Sequence, residues 1–218
     1  MFGLDEYLAH LGAGEAFALV ALVSVLLGLR HATDPDHVAA VATLVAGDAH
    51  EARRAGRLGV AWGAGHGTSL FAFGVPIVLS RAFLPEAVQT AAEAAVGVLI
   101  IALSLRLLRR RHTGHARART GLQAYGIGVV HGMGGSAGVG VLLLAGIPDH
   151  AEALVALGLF SLFTAVSMAL ASTTIGYALA RGAGAARRLP VAPAMGAVSL
   201  AFGCWYFLGA LDAVPYVL

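Results

Sequence analysis

Long apolar stretches separated by short polar connections dominate the hydrophobic pattern of this 218-residue chain. Each stretch is near or above the roughly 20 residues that a helix needs to cross the hydrocarbon core of a bilayer. We predict six transmembrane helices, over Ala16–Ala46, Leu58–Leu79, Ala87–Leu108, Leu122–Ala145, Ala151–Ala180 and Val191–Leu211. The pattern therefore predicts an all-α polytopic membrane protein, with residues 1–218 forming a single transmembrane domain.

The first of these segments is too long for one straight crossing. Its residues would extend roughly 46 Å at a rise of 1.5 Å per residue, whereas the hydrocarbon core is about 30 Å thick. Asp34 is a good helix N-cap, and Pro35 is tolerated at a first helical position because its missing N–H would be unpaired there. We therefore predict one helix ending near Ala32 or Thr33 and a second beginning at Pro35. Ahead of the segment, Met1–Leu11 is typical of a short amphipathic lead or a frayed terminus.

Composition and charge agree with a multi-pass membrane protein. The chain is 58% hydrophobic and 12% charged, with a mean hydropathy of +0.81. It contains arginine but no lysine, and most of its arginines lie on alternate connections between the predicted spans. These are Arg53, Arg54, Arg57, Arg106, Arg109, Arg110, Arg111, Arg117, Arg119, Arg181, Arg187 and Arg188. By the positive-inside rule, this places both termini outside a cell (inner) membrane. The distribution of positive charge indicates the orientation of the chain in the membrane and gives no reason to expect a nucleic-acid partner. The predicted partner is the lipid bilayer.

A short internal similarity relates the two halves of the chain. Gly28-Leu-Arg-His31 begins a run that ends at Gly47, and Gly128-Val-Val-His131 begins a similar run that ends at Gly146. This spacing predicts halves of residues 1–115 and 116–218. Halves that each hold three crossings must be inverted relative to each other, as in many transporters. We therefore predict a 3+3 inverted repeat.

Ionisable residues are concentrated at the predicted break in the first segment. Arg30, His31, Asp34, Asp36 and His37 lie there in otherwise apolar sequence. An ionisable group at bilayer depth costs about 2.5–3.5 kcal/mol on insertion scales and usually marks an ion or substrate path. Imidazole nitrogens with carboxylate oxygens suit divalent nickel, cobalt, zinc or iron.

Two further histidines, His66 and His131, lie among glycines and small polar residues in other predicted spans. We predict four metal ligands: His31, Asp36, His37 and His66. Residues predicted to support the ligands or line the pathway are Asp34, Arg30, Thr68, Ser69, His131 and Ser136. A lone membrane histidine such as His131 more often forms an interhelical hydrogen bond than a metal bond, and Asp34 is most simply the helix cap.

The motif His31-Ala-Thr-Asp-Pro-Asp36-His37 resembles the H-x4-D-H signature of the nickel/cobalt transporter (NiCoT) family. The segments Gly65-His66-Gly67-Thr68-Ser69 and Gly128-Val-Val-His131-Gly are similar to further motifs of its shorter, six-helix relatives, the urease-accessory nickel permeases. Pro35 stands where that signature usually has alanine. The resemblance implies secondary uptake of Ni²⁺ or Co²⁺ as transported substrate, with His31, Asp36 and His37 essential, and no cofactor.

Two alternatives remain open from the sequence. The same site chemistry would serve export of the metal as well as import. An intramembrane hydrolase is the other alternative, because Gly134-Gly-Ser136-Ala-Gly138 fits G-x-S-x-G, or because the His/Asp cluster would bind a catalytic zinc. The absence of any histidine after His150 argues against the serine version. We therefore expect a transporter, not an enzyme.

Overall fold

A computed structural model describes residues 2–46, 52–82, 84–113, 120–134, 141, 144–186 and 191–215. These residues form seven helices, numbered here in chain order. They are α1 (Phe2–His31), α2 (Pro35–Ala46), α3 (Ala52–Ser80), α4 (Glu86–Thr113), α5 (Gly121–His131), α6 (His150–Ala186) and α7 (Val191–Ala210).

Three of the described helices, α4, α6 and α7, are long and apolar enough to cross a membrane by themselves. Together, α1 and α2 meet the same test as a broken span, bent by 49°. The described chain therefore has three candidate spans, or four with the bent pair. Helix α3 has 29 residues, but glycines and the polar residues near His66 lower its hydropathy, and α5 has 11 residues.

The predicted break between Asp34 and Pro35 is present. Helix α1 ends at His31, where the backbone N–H of Thr33 donates to the carbonyl of Arg30 at 2.9 Å. Helix α2 begins at Pro35, and the Asp34 carbonyl accepts from the Val38 N–H at 3.0 Å, as expected at an N-cap position. Proline fits there because a first-turn N–H has no partner within the helix.

Two local predictions were wrong. Residues 2–11 are not a frayed terminus, because they belong to α1, which is continuous from Phe2 to His31. The predicted segment Leu122–Ala145 is not one helix either, since α5 ends at His131 and residues 132–134 form a turn. Glycine, which is helix-disfavouring, stands at Gly132 and Gly134 in that turn. Hydropathy does not register this break because the sequence on both sides is apolar.

Helices α3 and α6 form a central antiparallel pair through small residues. A Cβ placed on Gly56 would lie 2.9 Å from the Thr173 hydroxyl, and one on Gly63 would lie 2.7 Å from the Ala165 carbonyl oxygen. Small residues let helix backbones approach closely in this way. Arg53 at the start of α3 therefore lies at the same end of the pair as Arg181, whose guanidinium sits 4.2 Å over the Tyr177 ring near the end of α6.

The remaining helices attach to this pair or to each other. Helix α1 packs on α6, and α5 packs on α3. Helix α7 packs on α4 and α2, and the Ser199 hydroxyl of α7 donates to the Ala39 carbonyl of α2 at 3.3 Å. Because α3 and α6 are adjacent, the C-terminal ends of α1 and α5 are brought to the centre of the bundle.

Candidate metal site

Four helices place histidine or aspartate side chains around one point in the interior. His31 is the last residue of α1, Asp36 and His37 lie in the first turn of α2, and His131 is the last residue of α5. His66 is the middle residue of α3, so it lies about 21 Å from either end at 1.5 Å per residue. All five side chains are at most 4% exposed.

His31 connects this cluster to Asp34 and to His66. Its Nε2 lies 3.2 Å from Nε2 of His66, and its Nδ1 lies 3.2 Å from Oδ2 of Asp34. A carboxylate that accepts from one imidazole nitrogen fixes the tautomer in which the other nitrogen is free to bind a metal. Asp34, predicted above all as a helix cap, therefore also orients His31. On its outer side, Asp34 faces the exposed Arg30 guanidinium at 3.8 Å.

Asp36 joins two histidines from different helices. Its Oδ1 lies 3.0 Å from Nδ1 of His37, and its Oδ2 lies 3.4 Å from Nε2 of His131. The structure thus brings His131 into the cluster beside the four predicted ligands. A histidine that looked isolated in sequence gains its partners through the packing of α5 on α3.

Several polar atoms in the cluster make no hydrogen bond within the described chain. These buried atoms are Oδ2 of Asp36, Nε2 of His37, Nδ1 of His66, and Nδ1 and Nε2 of His131. Each buried polar group without a partner costs about 1–3 kcal/mol. A bound cation would use such lone pairs, and this concentration of them at one point fits a metal-binding role.

The ligand atoms fall into two groups of three. Within each group, made of His31, His37 and His66 or of Asp36, His37 and His131, the ligand atoms lie within 4.8 Å of one another. Metal–nitrogen and metal–oxygen bonds of about 2.0–2.2 Å suit ligand atoms roughly 3.0–3.5 Å apart. The 3.2 Å and 3.4 Å separations described above match that requirement.

Two aromatic side chains close the site. The Phe160 ring lies 5.6 Å from the His31 ring, and the Trp62 ring lies 5.8 Å from His37 and 5.6 Å from His131 between centroids. Both are buried, so they keep water from the histidines. Sequence reasoning missed them because aromatic residues at helical spacing are usually core.

The other predicted residues occupy three kinds of position. Ser69 is buried one turn from His66 and donates to its carbonyl at 3.0 Å. Thr68 is on an exposed face, where it donates to the Ala64 carbonyl at 2.8 Å and accepts from the Tyr125 hydroxyl at 3.1 Å, which ties α3 to α5. Ser136 lies outside the described residues.

The sequence is similar to one characterised type of protein. It is 29% identical over 179 residues to the urease accessory protein UreH of Bacillus sp. (strain TB-90), a similarity that covers 72% of this chain and 78% of the relative. No protein-family model matches the chain, and no solved structure matches it.

Proposed function

We propose that this protein is a secondary transporter of a divalent transition-metal cation, Ni²⁺ or Co²⁺, and that it works in the direction of uptake. The observation that carries the proposal is the buried meeting of four histidines and one carboxylate at a helix break. Several of their polar atoms have no hydrogen-bond partner in the described chain, which favours a cation as the species bound there.

The position of the cluster supports transport rather than a structural metal. His66 is central in α3, and the break at residues 32–34 opens a helix that together with α2 is apolar enough to span a membrane. Broken backbone at membrane depth is tolerated where it is buried in protein or lines a cavity. Transporters place substrate sites on such discontinuous helices near the bilayer midplane.

The ligand set and the motif resemblance together favour nickel, with cobalt second. Imidazole suits nickel, and among divalent metals a given site binds Ni²⁺ more tightly than Co²⁺. The relative is named a urease accessory protein, and the motif around His31 and His37 resembles that of nickel/cobalt transporters.

We further propose six crossings arranged as a 3+3 inverted repeat, in one domain with halves 1–115 and 116–218. This adds α3 and the segment from α5 to residue 145 to the candidate spans. The arginines near both α3 and α6 lie at one end of that pair, which supports an inside face there and termini outside a cell (inner) membrane. A potential negative inside would favour inward movement of a divalent ion by about 4.6 kcal/mol per 100 mV.

Metal binding by the purified protein tests the site. We expect saturable Ni²⁺ binding by calorimetry and its loss in His37→Ala. His150→Ala, which removes an exposed histidine at the start of α6, is the matched control and should bind as the unaltered protein does. Binding that survives His37→Ala unchanged would remove the site assignment.

Growth of a nickel-sensitive host tests the direction. Uptake predicts that expression sensitises the cells to Ni²⁺ or Co²⁺ and raises the metal they accumulate. Protection with lower accumulation would instead mean export through the same site.

A further inference from the structure

We infer that the His/Asp cluster contains two adjacent metal positions that share His37, and that one ion passes between them by exchanging ligands around that residue. This inference rests on the proposed transport function. It starts from the partition of the ligand atoms, which form two groups of three rather than one group of five within the described chain.

The first position uses nitrogen ligands from three helices. His31 comes from α1, His37 from α2 and His66 from α3, and the Nε2 atoms of His31 and His66 are 3.2 Å apart. Asp34 holds His31 through the opposite ring nitrogen, 3.2 Å away. This position therefore consists of three imidazoles, and the Asp34 carboxylate contacts it only through His31.

The second position includes a carboxylate. Asp36 and His37 come from α2 and His131 from the end of α5, with Oδ2 of Asp36 3.4 Å from Nε2 of His131. Neither of those two atoms has a hydrogen-bond partner in the described part of the chain. The second position is therefore formed by ligands that packing leaves available.

The His37 ring lies between the two sets. Its centroid is 4.4 Å from that of His31 and 4.6 Å from that of His131, whereas the His66 and His131 rings are 5.9 Å apart. Its Nδ1 faces Oδ1 of Asp36 at 3.0 Å, and its Nε2 has no hydrogen-bond partner in the described chain. On this inference, the ion remains on Nε2 of His37 while it loses His31 and His66 and gains Asp36 and His131. It would never shed all its protein ligands during the move.

Charge limits the cluster to one ion at a time. Two divalent cations sharing an imidazole would repel strongly at a buried site. The carboxylates in reach, Asp34 and Asp36, balance one divalent ion. The expected stoichiometry is thus one metal per chain, distributed over two positions.

This arrangement has a distinctive thermodynamic consequence. When one ion can occupy either of two positions, the overall association constant is the sum of the constants of the two positions. Loss of one position therefore leaves binding at the other. Because His66 belongs to one set and His131 to the other, each single variant should keep most of the affinity. The double variant should lose both, a strong departure from additivity of the kind that double-mutant cycles detect.

The experiment uses Co²⁺ as the metal probe with the full-length purified protein, and follows its visible absorption and its Kd. The variants are His66→Ala, His131→Ala, the double variant, and His150→Ala as control. Asparagine substitutions at residues 66 and 131 repeat the measurement with smaller packing changes, and size-exclusion profiles verify folding.

We expect each single variant to weaken Co²⁺ binding less than about fivefold and the double variant more than about 100-fold. The single variants should give two different spectra whose weighted sum reproduces that of the unaltered protein, at one Co²⁺ per chain. Metal uptake should fall in both single variants, because each lacks one step of the transfer.

A loss of about 100-fold in either single variant, with a spectrum unrelated to a sum, would establish one joint site and overturn the two positions while leaving the transporter intact. Two Co²⁺ per chain would also overturn the inference. Failure of the unaltered protein to bind Co²⁺ or Ni²⁺ would remove the proposed function itself.

Discussion

The contact of α1 with α6 and the contact of α5 with α3 are built alike but carry different chemistry. In the first, a Cβ on Gly28 would lie 3.0 Å from the backbone nitrogen of Thr164; in the second, one on Gly128 would lie 2.9 Å from that of His66. The two glycines occupy corresponding positions in the similar runs of sequence. One contact therefore presents a hydroxyl where the other presents an imidazole.

The correspondence extends on both sides of that position. Ser167 donates to the Thr164 carbonyl at 2.9 Å, as Ser69 does to the His66 carbonyl at 3.0 Å. Each helix that brings the glycine ends three residues later, at His31 or His131. The comparison teaches that the way in which the helices pack, here called the packing frame, is separable from the candidate ligands. The frame occurs in both regions, and only the α5–α3 contact has a histidine at this position.

The largest effect is expected from a substitution at Gly128, which would disrupt the backbone contact between α5 and α3. Gly128→Val would drive a branched side chain into the backbone of Trp62 and His66, and we expect loss of folded protein or destabilisation at the upper end of the about 1–3 kcal/mol typical of overpacking. Thermal unfolding in detergent measures it. Gly126→Val is the control, because a Cβ there meets nothing within 4 Å. Equal stability of the two variants would mean that α5 and α3 are not in backbone contact.

The carboxylate behind His31 should come next. In the His131→Ala background, where binding depends on the first position alone, Asp34→Asn removes the charge that orients His31, and losses of this kind typically weaken metal binding about 10–100-fold. Calorimetry with Ni²⁺ measures the change. Arg30→Gln is the comparison, since its guanidinium is 73% exposed and 3.8 Å from Asp34; we expect less than about a threefold effect for such a solvated pair. A larger effect for Arg30→Gln would reverse this order.

Acidification should weaken metal binding at the α5–α3 contact, which carries His66. It should have no such effect at Thr164 in the α1–α6 contact. Neutral imidazoles bind metal, so protons compete with the metal once the pH is low enough to protonate the ligands. We expect Ni²⁺ affinity to decrease at low pH, with protons released when the metal binds there. Calorimetry in buffers of different ionisation enthalpy counts the protons released. A Ni²⁺ affinity that increased as the pH was lowered would contradict imidazole ligands.

The frame contact at Gly28 should be weaker than the one at Gly128. Gly28→Ala places a methyl group 2.7 Å from the Phe160 carbonyl oxygen, and we expect destabilisation of about 1 kcal/mol. Gly158→Ala, on the same α6 partner but with nothing within 4 Å, should be neutral or stabilising. A lower unfolding temperature for Gly158→Ala than for Gly28→Ala would contradict the packing described for α1 and α6.

The smallest effect is expected at Thr164. Its buried hydroxyl oxygen has no hydrogen-bond partner in the described chain, so Thr164→Val removes an unsatisfied group at nearly constant volume. We expect a change within about 1 kcal/mol, in the stabilising direction, and unchanged Ni²⁺ affinity. Thermal unfolding and calorimetry test both parts; a loss of metal binding would mean that this residue belongs to the site.

Sequence reasoning succeeded where the determinants are local. The break before Pro35 follows from the chemistry of Asp34 and proline alone, and the ligand cluster of α2 lies beside it in sequence. The turn after His131 was missed because its glycines are flanked by apolar residues, which makes the segment look like one continuous span. The partner of His131 could not be predicted from the sequence for another reason: its contact with Asp36 joins residues far apart in sequence, which only tertiary packing determines.

The close approach at Gly28 and Gly128 also bears on how such a protein can diversify. The spacing of the helices is set by close contact between backbone and glycine, and not by the candidate metal ligands. The side chains at residues 66 and 164 should therefore be replaceable without a change in how the helices pack. The metal preference of such a bundle would then depend on side chains such as that of residue 66 and not on the helix packing, and residue 66 is the natural starting point for engineering a chain that binds a different metal.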